Sequence, residues 1–84
     1  MKNVTIVGLG LIGGSFALAL KKTGLAEHIT GVDSNLDHQK EALELGIVDE
    51  IDNLKDAVLK SDLIVLAIPI NAAQKVLPEI LDYI

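Results

Sequence analysis

Residues 3–14 read NVTIVGLGLIGG, and Asp33 stands twenty residues beyond Gly13. The β-branched run 3–7 stops at a glycine cluster, which predicts a short strand buried on both faces of a parallel sheet. Gly8, Gly10 and Gly13 then spell G-x-G-x-x-G at the mouth of a helix predicted over 11–23 and closed by Gly24. Each glycine has a physical task in that pattern: Gly8 permits the tight turn, Gly10 removes a side chain that would block a diphosphate, and Gly13 lets helix and strand approach closely. The N–H groups of Leu11 and Ile12 stand unpaired at the positive end of the helix dipole, where they bind phosphate without a basic side chain. Asp33, ending a second strand over 29–32, is placed to accept a hydrogen bond from a ribose 2′-hydroxyl and to repel a 2′-phosphate. There is no arginine in the chain to receive that phosphate, and the nearest lysine in sequence is Lys40. The expected cofactor is therefore NAD rather than NADP. Ser34 and Asn35 are ambiguous between ribose contact and helix capping.

Working outward, strand and helix alternate. Helices are predicted over 36–45, 54–60 and from Asn71 onward, with strands over 48–51 and 62–68. Pro78 lacks an N–H and opposes the carbonyl of Gln74, so a kink or restart is expected in the last helix. Strands separated by helical segments call for right-handed βαβ crossovers. The fold class is thus α/β, a Rossmann-type parallel sheet with helices on both faces and strand order 3-2-1-4. It is incomplete, holding the first half of a dinucleotide fold plus the fourth strand, so residues 1–84 are expected to be the amino-terminal part of a larger domain. Were the chain to end at Ile84, the outer edge of the apolar fourth strand would lack a neighbour, and self-association would be expected. Ala67, Ile68 and Pro69 close that strand at the carboxyl edge of the sheet, where ligands bind in open α/β folds; Pro69 reads equally well as a simple strand terminator.

Composition excludes several classes. With 7 Lys+Arg against 12 Asp+Glu the net charge is −5, which argues against nucleic-acid or anionic-membrane binding. Half the residues are hydrophobic, as in a folded domain with one core. The chain has no cysteine, hence no disulfide or thiolate metal site. The uncharged run 4–20 resembles the apolar part of a signal peptide, but its four glycines weaken a helix, and a cytoplasmic protein is expected. His28 and His38 read as surface residues, and the acids Asp49, Glu50, Asp52 and Asp56 as a loose solvated edge. No catalytic residue and no metal site is found within the chain.

The run NVTIVGLGLIGGSFALALKKTG, then GVDSN, then the spacing to SDLIVLAIPI, resembles the nucleotide-binding half of prephenate dehydrogenases, a family that includes arogenate dehydrogenases. The resemblance covers essentially the whole chain. It implies cofactor contacts at Gly8, Gly10, Leu11, Ile12, Gly13 and Asp33 and over Ala67, Ile68, Pro69 and Ile70. It further implies an NAD-dependent oxidative decarboxylation of prephenate or arogenate, a small-molecule substrate, on the route to tyrosine. A catalytic histidine and the substrate-binding residues would lie further along, and the full-length enzyme would be a homodimer. Three other readings remain open: another βαβ dehydrogenase of the 6-phosphogluconate or pyrroline-5-carboxylate reductase type, a non-enzymatic NAD sensor like the regulatory domains of potassium-uptake systems, and a glycine-turn fold that binds nothing.

Overall fold

A computed structural model describes residues 2–84. Strand β1 (Asn3–Val7) leads through the glycine turn into helix α1 (Leu11–Thr23), followed by β2 (His28–Val32), α2 (Leu36–Glu44), β3 (Glu50–Ile51), α3 (Leu54–Leu59), β4 (Leu63–Leu66) and α4 (Ile70–Tyr83). The four strands form one parallel sheet in the order β3-β2-β1-β4, as the alternating pattern predicts. Val7 is in register with Val32 on one side and Leu66 on the other, so the three strand ends that carry the glycine turn, Asp33 and Ala67 lie at one edge of the sheet.

The alternation of β1 explains how helices cover both faces. Val4 and Ile6 are fully buried in a core with Ala17 and Leu20 of α1, Ile29 of β2 and Ala42 of α2. Thr5 points the opposite way: its Oγ1 donates to the Ala57 carbonyl at 3.3 Å and shares a short hydrogen bond with Ser61 Oγ. This is how a fully buried hydroxyl on a central strand keeps its partners. In β2, Gly31 leaves room for Leu9: a Cβ there would lie 2.7 Å from Leu9 Cδ1. Leu9, the side chain between the first two glycines, is consequently buried and anchors the turn to β2.

Some boundaries differ from expectation. The third strand is only two residues long, and Val48 instead packs into the core. The fourth runs over Leu63–Leu66 rather than 62–68; Ala67 N–H still donates to the Val7 carbonyl at 2.8 Å, and Ala67 and Ile68 pack on the glycine turn. The last helix starts at Ile70, with Pro69 as its N-cap, and runs through Pro78 without a restart. Pro78 and Gln74 are both exposed residues. Ile80 holds the second half of α4 by its buried side chain. Among the described residues, no helix is long and apolar enough to cross a membrane.

Candidate nucleotide site

The three glycines have different reasons for being glycine. Gly8 has φ +99°, and a Cβ would lie 2.5 Å from the Ala67 carbonyl oxygen and 2.6 Å from Ile68 Cγ2. At Gly13 a Cβ would sit 1.8 Å from the Gly8 carbonyl oxygen and 3.2 Å from Ala67 Cβ. Both positions are closed by the protein's own backbone, and together they weld the turn, the start of α1 and the end of β4 into one unit. Gly10 is unlike them. Its backbone is ordinary (φ −68°, ψ −165°), and a Cβ there would meet only His38 Cε1, at 3.9 Å. Neither conformation nor internal packing requires glycine at this position, and the side chain it lacks would project over the recess that His38 borders.

Gly10 is also the N-cap of α1, with no capping side chain and no acid in the first turn. The first intrahelical bond runs from Gly14 N–H to the Gly10 carbonyl at 2.9 Å. The N–H groups of Leu11, Ile12 and Gly13 precede it and have no intrahelical acceptor. Leu11 and Ile12 are 89% and 77% exposed, so the helix offers its positive end to solvent instead of satisfying it internally. The residues present therefore suit an anionic, elongated group laid across Gly10.

Asp33 closes the other side of the turn. Its Oδ2 accepts from Leu9 N–H at 2.7 Å and from His38 Nδ1 at 2.9 Å, while Oδ1 accepts from Asn35 N–H at 2.8 Å. Gln39 Nε2 donates to its backbone carbonyl through a short hydrogen bond. A carboxylate offers about four acceptor positions, so these three donors leave one, on Oδ1. Burial works against the charge, but the N–H groups of Asn35 and Leu9 and the His38 ring outweigh it and hold the carboxyl below its ordinary value. Asp33 is an ionised acceptor aimed by the protein with one position to spare.

The capping ambiguity is resolved in favour of Asn35, whose Oδ1 accepts from Asp37 N–H at 2.9 Å and His38 N–H at 3.1 Å; Ser34 remains exposed. Ala67 and Ile68 are brought against Gly8, and Pro69, exposed, caps α4. Gly8, Gly13, Asp33, Ala67 and Ile68 thus converge, with Gly10, Leu11 and Ile12 facing outward from them.

Two surface readings gain partners in the structure. His38 is bonded to Asp33 and borders the recess over Gly10 together with Leu11, Ser15 and Glu41. The spacing held a signal for it: an Asn35 cap places His38 in the first turn of α2, facing back toward Asp33. The acidic run is also not loose. Asp49 accepts from Ile29 N–H at 2.8 Å and from Lys21 Nζ at 3.1 Å, and Lys60 bonds to both Glu50 and Asp52. Among the described residues, no group of three or more His, Asp or Glu side chains is placed to hold a metal ion.

A family model described as "Prephenate dehydrogenase, nucleotide-binding domain" matches residues 16–84, a match that begins after the glycine turn and so does not depend on it. The chain is 35% identical over 79 residues to the prephenate dehydrogenase of Bacillus subtilis, covering 93% of this chain and 21% of that protein. Among solved structures it is similar to prephenate dehydrogenase from A. aeolicus in complex with hydroxyphenyl propionate and NAD+, with TM-score 0.80, 36% identity, and 89% of this chain and 27% of that one covered. Synechocystis arogenate dehydrogenase is similar at TM-score 0.85 and 31% identity, over 99% of this chain and 29% of that one. The chain spans about a fifth of the length of the curated relative, within the part that the family description assigns to nucleotide binding. It belongs to the prephenate dehydrogenase family, in its nucleotide-binding domain.

Proposed function

We propose that this chain is the NAD-binding part of a dehydrogenase that oxidatively decarboxylates prephenate or arogenate, yielding 4-hydroxyphenylpyruvate or tyrosine. Gly10 carries the reading: it is the one glycine of the motif whose missing side chain serves nothing inside the protein. The N–H groups of Leu11 and Ile12 would hold a pyrophosphate over Gly10, with Gly8 and Gly13 holding the turn that presents them. Asp33 takes a ribose 2′-hydroxyl on the free position of Oδ1 and disfavours a 2′-phosphate, so NAD is preferred. Ser34 lies beside that ribose, and Ala67, Ile68 and Pro69 line the cleft on the far side of the turn, at the switch point of the sheet.

Nicotinamide, when bound, accepts the hydride released from the hydroxyl-bearing ring carbon as CO2 departs and the ring becomes aromatic. The part these residues play is to orient the cofactor and fix its ribose and phosphates, so that the distance between the reacting carbons is set by a rigid turn. A base for the hydroxyl proton is supplied from outside these 84 residues. His38 stands at the ribose end of the proposed site, bonded through Nδ1 to Asp33, and His28 Nε2 is paired with Glu50 at 3.0 Å on the opposite edge of the sheet. The full-length enzyme acts in the cytoplasm as a homodimer on this small-molecule substrate.

The test follows NADH absorbance at neutral pH in the full-length protein given prephenate or arogenate with either cofactor. Substrate-dependent reduction of NAD, much weaker with NADP, is the expected result. NAD binding without reduction by either substrate would overturn the assigned reaction and favour a sensor. Absence of NAD binding would overturn the site.

A further inference from the structure

The Asp33–His38 pair goes beyond a fixed carboxylate. A carboxylate only accepts, so the His38 nitrogen 2.9 Å from Asp33 Oδ2 is the protonated one, whatever the charge of the ring. The other nitrogen, Nε2, is then a bare acceptor when the ring is neutral and an N–H donor when it is charged. The ring is in position for that difference to reach a ligand: His38 Cε1 is 3.9 Å from where a Cβ on Gly10 would stand, and the imidazole borders the same recess, its side chain 44% exposed.

We propose that His38 is a specificity-determining residue at the ribose, whose protonation relaxes the exclusion of a 2′-phosphate that Asp33 imposes. With His38 neutral, the Asp33 carboxylate is joined to a ring that carries a lone pair on its other nitrogen, and both are hostile to phosphate. Protonation compensates the Asp33 charge and turns Nε2 into a phosphate donor. The groups that face His38 are few. Asp33 approaches from the end of β2 and Glu41 from its own helix, while α1 contributes Leu11 and Ser15 and the turn contributes Gly10, none of them charged. Among the described residues lining the recess, Glu41 is the only other titratable group. Cofactor preference is thereby a function of pH.

This inference rests on the dinucleotide site proposed above. Its test measures dissociation constants of NADP+ and NAD+ for the full-length protein by calorimetry, at about pH 8 and about pH 5.5, either side of the ordinary histidine value. Wild type is compared with His38→Asn, which still donates to Asp33 but does not titrate, and with His38→Lys, which is charged at both values. A 2′-phosphate takes up a proton of its own near about pH 6, so the comparison between proteins, not the wild-type trend, decides. The ratio of the two constants is expected to fall about fivefold more in wild type than in His38→Asn, and to be low at both pH values in His38→Lys. Equal falls in wild type and His38→Asn overturn the proposal, as does NADP+ binding in His38→Lys no tighter than in His38→Asn. Failure of wild type to bind NAD+ at either pH would overturn the site itself, an outcome distinct from binding with an unchanged ratio.

Discussion

The two edges of the sheet treat their polar groups in opposite ways. At the amino edge, charges are spent on one another and on the backbone: Asp49 ties Lys21 to the Ile29 N–H, His28 meets Glu50, and Asp62 accepts from the Asn3 N–H at 2.9 Å. At the carboxyl edge, the first N–H groups of α1 have no cap, Gly10 opens onto the recess that His38 borders, and Asp33 keeps one acceptor position free after three donors have aimed it. A protein built for stability alone closes both edges. The difference teaches that one edge holds the fold together and the other is kept available.

Substitutions that separate these two jobs sharpen the contrast, and the largest effect belongs where they coincide. Gly13→Ala places a Cβ 1.8 Å from the Gly8 carbonyl, against backbone that has no room to yield. It is expected to cost about 3 kcal/mol of stability by chemical denaturation and to abolish nucleotide binding with it. Asp33→Asn is expected to weaken NAD binding by about tenfold and narrow the preference over NADP, as read by titration calorimetry. It also has a pH signature. Asp33 and Asp49 both titrate below the ordinary 3.8. The stability they contribute is therefore complete above that value and is lost as pH falls through their depressed folded values. Acid unfolding curves should show a shallower loss below about pH 4 in either Asn variant, with no difference at neutral pH in the slope.

On the other edge, Asp49→Asn weakens the bonds from Ile29 and Lys21, and is expected to lower stability by about 1 kcal/mol while leaving NAD affinity unchanged. A tenfold loss of affinity there would break the division between the edges. Lys60→Ala is expected to give the smallest change, close to the error of a denaturation measurement and with no effect on binding, because its ion pairs with Glu50 and Asp52 are solvent-exposed.

What the sequence displayed, and what it concealed, follows from the range of the interactions. Strand order and the glycine turn come from local spacing: a β-branched run, three glycines, a helix and an acid at a fixed distance. Gly24 and Asn35 likewise announce a helix end and a helix start within a few residues of where they act. The Leu9 to Asp33 hydrogen bond joins residues 24 apart and the Lys21 to Asp49 bond residues 28 apart, so no local pattern reveals them. His38 was hidden for a related reason. Its position on α2 is readable, but its value depends on the hydrogen bond that joins its ring to Asp33. Pro78 brings no restart, since α4 is continuous over Ile70–Tyr83.

The most direct test of the account is Gly10→Ala, measured for stability and for NAD affinity on the same protein. The glycine is needed by nothing inside the fold, so stability should stay within about 1 kcal/mol, the small loss of an N-cap glycine being offset by a less flexible unfolded chain. Affinity for NAD should fall by about tenfold or more, because the new methyl group occupies the path of the diphosphate. A variant as stable as wild type that binds NAD equally well would contradict the assignment of this edge to the cofactor.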